Sequence, residues 1–289
     1  MTKNRFGCQL PQEENNFEKL AEIAEDCEQL GYDSIWAFDH LAPYWNQRGQ
    51  ALECFTLLAA VAQRTKKIKL GSLVANVNVR NPALLAKITS SLDNLSDGRL
   101  ILGLGTGDRM SRNELLAYGY SFASVDERVE HLRESALILK EMWTKDQATF
   151  EGKYHRVVSA VNYPKPIQKP HPPLWIGGKH PKILDVVAEM ADGWNYWGIT
   201  KEMLAQRTRY LSDKCATIGR QPQQITKSWA GTLAHLTKSN IGRDELMENI
   251  RDQIRRQTDD QTKYFIASFG SRADPSIYET FAEVIQSLD

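Results

Sequence analysis

Apolar residues along this chain follow two alternating spacings. Short continuous runs, of the kind a buried strand produces, are separated by longer stretches in which apolar positions recur every three or four residues. In the first third the runs cover residues 33–40 (DSIWAFDH), 68–76 (IKLGSLVAN) and 99–109 (RLILGLGTGDR). Their ends, near His40, Ala75 and Gly105, repeat at about 35 residues. The stretches between them carry helical stripes: Phe17, Leu20, Ala24 and Cys27; then Phe55, Leu58 and Ala62; then Leu85, Ile88, Leu92 and Leu95.

This rhythm predicts strands over 5–10, 33–39, from 67 onward, 99–104, 174–177, 193–197, 225–233 and 263–269. It predicts helices ending at Gly31, over 52–64, from Asn81-Pro82 to Gly98, over 181–191, over 201–218, over 243–256 and over 275–288. Ser124 and Glu127 have capping-box spacing, and the helix behind them runs Val129, Leu132, Ala136, Leu139, Trp143. Eight strand–helix pairs predict an α/β fold, a (β/α)8 TIM barrel, as one domain over residues 1–289. A doubly wound sheet is the alternative, and the regularity of eight units favours closure. Residues 146–173 break the rhythm after the fourth helix. They hold a hairpin pattern (ATFEGKYHRV) and five of the 11 prolines, and read as an insertion on the barrel. It is either a lid or dimer contact, or a surface excursion.

Composition narrows the class little. Basic and acidic residues number 36 each, so nothing global points to nucleic acid or to an anionic membrane. No run reaches the ~20 apolar residues of a membrane span. Cys8, Cys27, Cys54 and Cys215 form no C-x-x-C and read as free thiols, which with the absence of a leader-like start suggests a cytoplasmic protein.

In a parallel barrel the chemistry gathers at the C-terminal ends of the strands. There this chain puts Asp39-His40, a carboxylate beside an imidazole, a pairing suited to proton transfer near neutral pH. If Trp36 and Phe38 face the helices, Ile35, Ala37 and Asp39 face inward. The alternative is a loop histidine beside a helix-capping aspartate. Gly71 interrupts the third strand, which suggests a bulge or the approach of a ligand. If Gly103 and Gly105 face inward they leave open volume near the mouth, where Gly105-Thr106-Gly107 could present backbone N–H groups to a ligand. GLGTG lacks G-x-G-x-x-G spacing, which argues against a nicotinamide site. Gly177-Gly178 before a helix either hosts a phosphate or makes a tight turn. Asp108 and Glu114 are acid–base partners or solvated loop charges. Tyr44, Trp45, Trp194, Tyr196 and Trp197 are flat surfaces for a planar cofactor, or core. The six histidines show no metal-ligand spacing, so no metal is expected, and neither G-x-S-x-G nor a phosphate-binding GK[ST] loop is present.

Taken together, GYDSIWAFDHLAP (31–43), the segment from Leu70 to Arg109, ERVEHLRESALILKEMW (127–143) and PPLWIGG (172–178) resemble the luciferase-like family of flavin- and deazaflavin-dependent enzymes. The likeness covers roughly residues 5–200 and fades towards the C-terminus. Asp-His after the second strand is similar to the branch that uses coenzyme F420. The resemblance implies an oxidoreductase that moves hydride between the deazaflavin and a small organic substrate, within a homodimer. It implies that His40, held by Asp39, is the acid–base residue and that Asp108 is the closing acid, where some relatives have glutamate. It implies cofactor contacts from Asp39, Leu73, Val74, Asn76, Gly105, Thr106, Gly107, Gly177 and Gly178, and a non-proline cis peptide near Leu73–Val74. A relative's active-site tryptophan falls at Tyr44. An FMN-dependent monooxygenase using O2 is the near alternative, and a non-catalytic flavin-binding barrel the next.

Overall fold

Eight parallel strands close on themselves in the computed structural model, which describes residues 3–13, 15–43, 48–236, 241–271 and 273–288. They are β1 (Arg5–Gln9), β2 (Ser34–Ala37), β3 (Lys69–Ser72), β5 (Leu100–Gly105), β8 (Leu174–Gly177), β9 (Gly193–Trp197), β10 (Thr226–Thr232) and β11 (Tyr264–Ser268). Each pairs with the next, β3 pairs with β5, and β11 returns to β1, so the sheet is a closed (β/α)8 barrel without a free edge. The short β4 (Ala75–Asn76) continues the third staff of the barrel. The outer layer consists of α1 (Phe17–Gln29), α2 (Cys54–Arg64), α3 (Pro82–Leu95), α5 (Val125–Thr144), α6 (Pro181–Met190), α7 (Lys201–Thr217), α8 (Arg243–Gln257) and α9 (Ser276–Gln286).

The helices form where the stripes predict them. Asn81 caps α3 by accepting from the Ala83 N–H, with Pro82 at the first helical position. Ser124 and Glu127 complete the reciprocal capping box of α5. Leu132, Ala136 and Leu139 are fully buried against the strands. Leu95, expected on the buried face of α3, is exposed. Between β5 and α5, where the pattern predicts neither strand nor helix, lies a further short helix, α4 (Ser111–Ala117).

The face of β2 is opposite to the one expected. Trp36 points into the barrel, where it packs with Ile101, Trp175, Ala230, Tyr264 and Ile266, while Ile35 and Ala37 face the helices. The reason lies on the neighbouring strands. A Cβ at Gly71 would come within 2.3 Å of the Trp36 ring, and one at Gly7 within 2.7 Å of its Nε1. Two glycines flanking one position make the room that an inward indole needs. The indole N–H then donates to Ser34 Oγ at 2.6 Å.

The third staff is interrupted between β3 and β4. Gly71 is opposite Ile101 and Ala75 is opposite Leu104, so four steps on one strand match three on the other, a one-residue bulge. Its extra length lies at Leu73–Val74, whose peptide bond is cis as the family resemblance implied.

Residues 146–173 form the hairpin β6 (Ala148–Glu151) and β7 (Arg156–Ala160) followed by a proline-rich strap. The strap lies along α3 and α5: Asn162 Nδ2 donates to Ser90 Oγ at 2.7 Å and Gln168 Nε2 to Asp93 Oδ1 at 2.7 Å. The hairpin tip is held by Glu134, whose carboxylate accepts from the N–H groups of Lys153, Tyr154 and His155. The four cysteines are free and buried. Among the described residues no helix is long and apolar enough to cross a membrane, and no cluster of three or more His, Cys, Asp or Glu could hold a metal ion.

Candidate active site

The bulge, its glycines and the turn after β2 meet at the C-terminal mouth of the barrel. Val74 is half-buried and leans over the inward face of β5 and β8. A Cβ at Gly103 would lie 2.2 Å from the Ser72 carbonyl oxygen, one at Gly105 2.4 Å from Val74 Cγ2, and one at Gly177 2.9 Å from Val74 Cγ1. The glycine face of β5 is inward, but the room it leaves is not open. The bulge occupies it, and the three glycines are the seat of Val74. The result is a smooth apolar backing at the barrel mouth, bordered by the turn Gly105-Thr106-Gly107. Asn78 Nδ2 donates to the Thr106 carbonyl at 2.9 Å, and Gly107 (φ 66°) sits against Asn76, where a Cβ would meet Nδ2 at 2.8 Å.

Asp39 and His40 diverge. The Asp39 carboxylate, buried, accepts from the Asn76 N–H at 2.9 Å and takes both Arg80 Nη1 (2.5 Å) and Arg80 Nη2 (2.7 Å). Arg80 also donates to Glu53 Oε1 at 2.6 Å, and Glu53 caps α2 by accepting from the Thr56 N–H. Asp39 therefore locks the end of β2 to the bulge staff, and it does not hold the imidazole as expected. That task falls to Glu114 on α4. His40 Nδ1 lies 2.8 Å from Glu114 Oε1, while Glu114 Oε2 accepts from the Leu41 N–H at 3.0 Å. Since an ionised carboxylate can only accept, Nδ1 carries the proton in this pair. Burial disfavours the charged imidazole. The hydrogen bond and charge of Glu114, with Asp108 and Asp39 beyond it, outweigh that and raise the pKa above its ordinary value.

Asp108, expected as the closing acid, uses Oδ1 to accept from the N–H groups of Met110 and Ser111, each at 2.9 Å, and so caps the turn into α4. Gly178 has φ 139°, and its carbonyl accepts from Trp194 Nε1 at 2.7 Å, so this turn also anchors the core. Trp194 and Tyr196 are core residues facing the helices, whereas Trp197 is 45% exposed at the end of β9. Tyr44 and Trp45 lie outside the described residues. Arg80 belongs to no motif; its one signal in the sequence is its place between the bulge and the Asn81 cap.

A cleft of about 370 Å3 opens beside the mouth, bordered by Asn78, Arg80, Tyr120, His131 and His155. A second, of about 460 Å3, lies between the start of α7 and the end of α8 and shares no lining residue with it.

The family model for luciferase-like monooxygenases matches residues 1–283. The chain is 35% identical over 176 residues to the F420-dependent glucose-6-phosphate dehydrogenase of Amycolatopsis mediterranei (strain U-32), a match covering 61% of this chain and 52% of that protein. It thus spans about half the length of the curated relatives it matches. Among solved structures it superposes on an F420-dependent secondary alcohol dehydrogenase in complex with an F420-acetone adduct with a TM-score of 0.85, at 20% identity and 100% coverage of both chains. It superposes on the EDTA monooxygenase of Chelativorans sp. BNC1 with a TM-score of 0.78, at 14% identity, covering 99% of this chain and 93% of that one. At these identities the structural likeness speaks for the fold.

Proposed function

This chain belongs to the luciferase-like monooxygenase family, and from that premise we propose that it is a coenzyme F420-dependent oxidoreductase acting on a small organic molecule. The relatives matched in sequence carry F420 in their names, which supports the deazaflavin over FMN. The observation that carries the reading is the His40–Glu114 pair at 2.8 Å, a proton-bearing imidazole at the mouth of a barrel whose adjoining staff carries an apolar bulge.

The residues present fit a flat ring. Val74, seated on Gly103, Gly105 and Gly177, forms the backing, with Leu73 packed against the interior cluster beside it, and a side chain at any of the three glycines would push that backing out of place. Asn76, Thr106 and Gly107 border it, Asp39 reaches it from the end of β2 through the Asn76 N–H, and Gly177-Gly178 makes the turn beside it, the Gly178 N–H being taken by the Asn195 carbonyl at 3.0 Å. When bound, a deazaflavin supplies a carbon that takes or gives hydride. The protein's part is orientation and the proton. Glu114 fixes Nδ1, so His40 exchanges the proton of the substrate oxygen through Nε2. Glu114 is a positioning residue, and Asp39, tied to Arg80, is one as well. Asp108, through its charge, adds to the pull on the imidazole proton.

The test is a fluorescence titration of the purified chain with F420 and, separately, with FMN, followed by an absorbance assay of F420 reduction. Binding of F420 in preference to FMN is expected. Preference for FMN with oxygen uptake would favour the monooxygenase chemistry of other family members, and binding of neither would favour a barrel that has lost its cofactor. Pairing into a homodimer belongs to the same proposal and is read by light scattering.

A further inference from the structure

Four strands on the side of the barrel away from the bulge present uncharged side chains to the mouth. Ala230 and Ile266 lie in the barrel interior, so Thr232 and Ser268, two residues further along β10 and β11, share that inward face. Gln9 is in register with Ser268 on one side and with the inward Trp36 on the other. Trp197 is in register with Ala230. In the ring of eight strands β9 is opposite β2, four places away in either direction, so Trp197 stands across the mouth from the turn that carries His40.

Two of these residues are unfinished as plain structure. Trp197 is 45% exposed, although Trp194 and Tyr196 on the same strand are fully buried. A large indole left open at the rim of a barrel is a surface waiting for an apolar face. Gln9 Oε1 is buried and has no hydrogen-bond partner among the described residues. A buried amide oxygen without a donor is costly, and a ligand hydroxyl would satisfy it. The mouth-end positions Gln9, Trp197, Thr232 and Ser268 bring no charge, and Lys179, on the turn after β8, donates to the Gly198 carbonyl at 2.6 Å.

We infer that the substrate is an uncharged compound with a flat or cyclic apolar body that carries a hydroxyl in its reduced form, the body lying against Trp197 and the hydroxyl donating to Gln9 Oε1. This rests on the F420 reading of the same mouth. It departs from a phosphorylated sugar, the substrate in the name of the matched relatives, because among the described residues a phosphate seated against Trp197 and Gln9 would meet an indole and an amide in place of a cation.

Calorimetric titration of the F420-loaded protein tests it, with cyclohexanone and cyclohexanol as neutral probes and glucose 6-phosphate as the charged one. Cyclohexanone is expected to bind at least about tenfold tighter than glucose 6-phosphate. Trp197→Ala should weaken cyclohexanone binding about tenfold while leaving F420 affinity unchanged, and Trp197→Phe should keep most of it. Gln9→Leu should weaken cyclohexanol selectively. Saturation-transfer NMR on the protein without F420 reads contact between the probe and Trp197 independently of turnover. Tighter binding of glucose 6-phosphate, or unchanged probe affinity in Trp197→Ala, overturns the inference. Loss of F420 binding in the preceding fluorescence titration overturns the cofactor reading instead, and the NMR contact still decides on the mouth.

Discussion

His40 Nδ1 and Glu114 Oε1 are 2.8 Å apart, although 74 residues separate them in the chain. The contact ties α4 to the turn after β2 and fixes which imidazole nitrogen carries the structural proton. The carboxylate next in sequence, Asp39, turns instead to Arg80. Two acids beside one histidine thus divide the work: one orients the ring, the other holds the strand end.

His40→Ala should lower kcat by about 10²- to 10⁴-fold, the range of a general acid or base, with F420 affinity changed only a few-fold. Steady-state F420 reduction and the fluorescence titration measure the two separately. A kcat within about twofold of the parent would remove His40 from the proton transfer.

Glu114→Gln should move the His40 inflection in the pH profile of kcat/KM to lower pH, because the carboxylate raises that pKa and the amide cannot. The sign carries over to stability. A histidine whose folded pKa is raised contributes stabilisation that is complete below its ordinary value of 6.5 and is lost as pH rises through the raised one. The stability gap between parent and Glu114→Gln should therefore be wider at about pH 6 than at about pH 9. Urea unfolding at both pH values, with imidazole titration by NMR, measures it. A gap independent of pH would mean that the pair is not ionic.

Much of the architecture was legible because it is written in local spacing. The Asn81-Pro82 and Ser124–Glu127 caps and the stripe from Val129 to Trp143 depend on neighbours within a few residues, and all stand where the pattern puts them. The inward face of β2 was not legible in that way. Alternation fixes that Trp36 and Ile35 oppose each other but not which of them is inside, and the answer lay in Gly7 and Gly71 on other strands. The carboxylate for His40 was hidden for the same reason. Asp39 was the neighbour in sequence, while Glu114 became the neighbour in space through a short helix that the loop pattern did not reveal. The cis peptide at Leu73–Val74 came from family likeness, since no composition or periodicity announces it.

Arg80→Met should destabilise the fold by about 3–5 kcal/mol, because it leaves the Asp39 carboxylate buried without its cation. Adding Asp39→Asn should recover part of that loss, since the uncompensated charge is then gone. Denaturant unfolding of the two single variants and the double variant measures the coupling. If Arg80→Met cost less than about 1 kcal/mol, the pair would be no more than a solvated bridge.

Gly105→Ala should lower F420 affinity and stability together, and Val74→Ala should restore much of both. The methyl added at Gly105 falls 2.4 Å from Val74 Cγ2, so either the side chain or the bulge must move, at a cost of about 1–3 kcal/mol. Gly103→Ala provides the contrast. Its methyl falls 2.2 Å from the Ser72 carbonyl oxygen, which is main chain, so trimming Val74 gives no relief there. Thermal melts and F420 titrations across Gly105→Ala, Gly103→Ala and their Val74→Ala doubles therefore separate a side-chain seat from a main-chain one. Equal rescue at both glycines would mean that the barrel yields around the bulge as a whole, and that Val74 is not the backing of a ring.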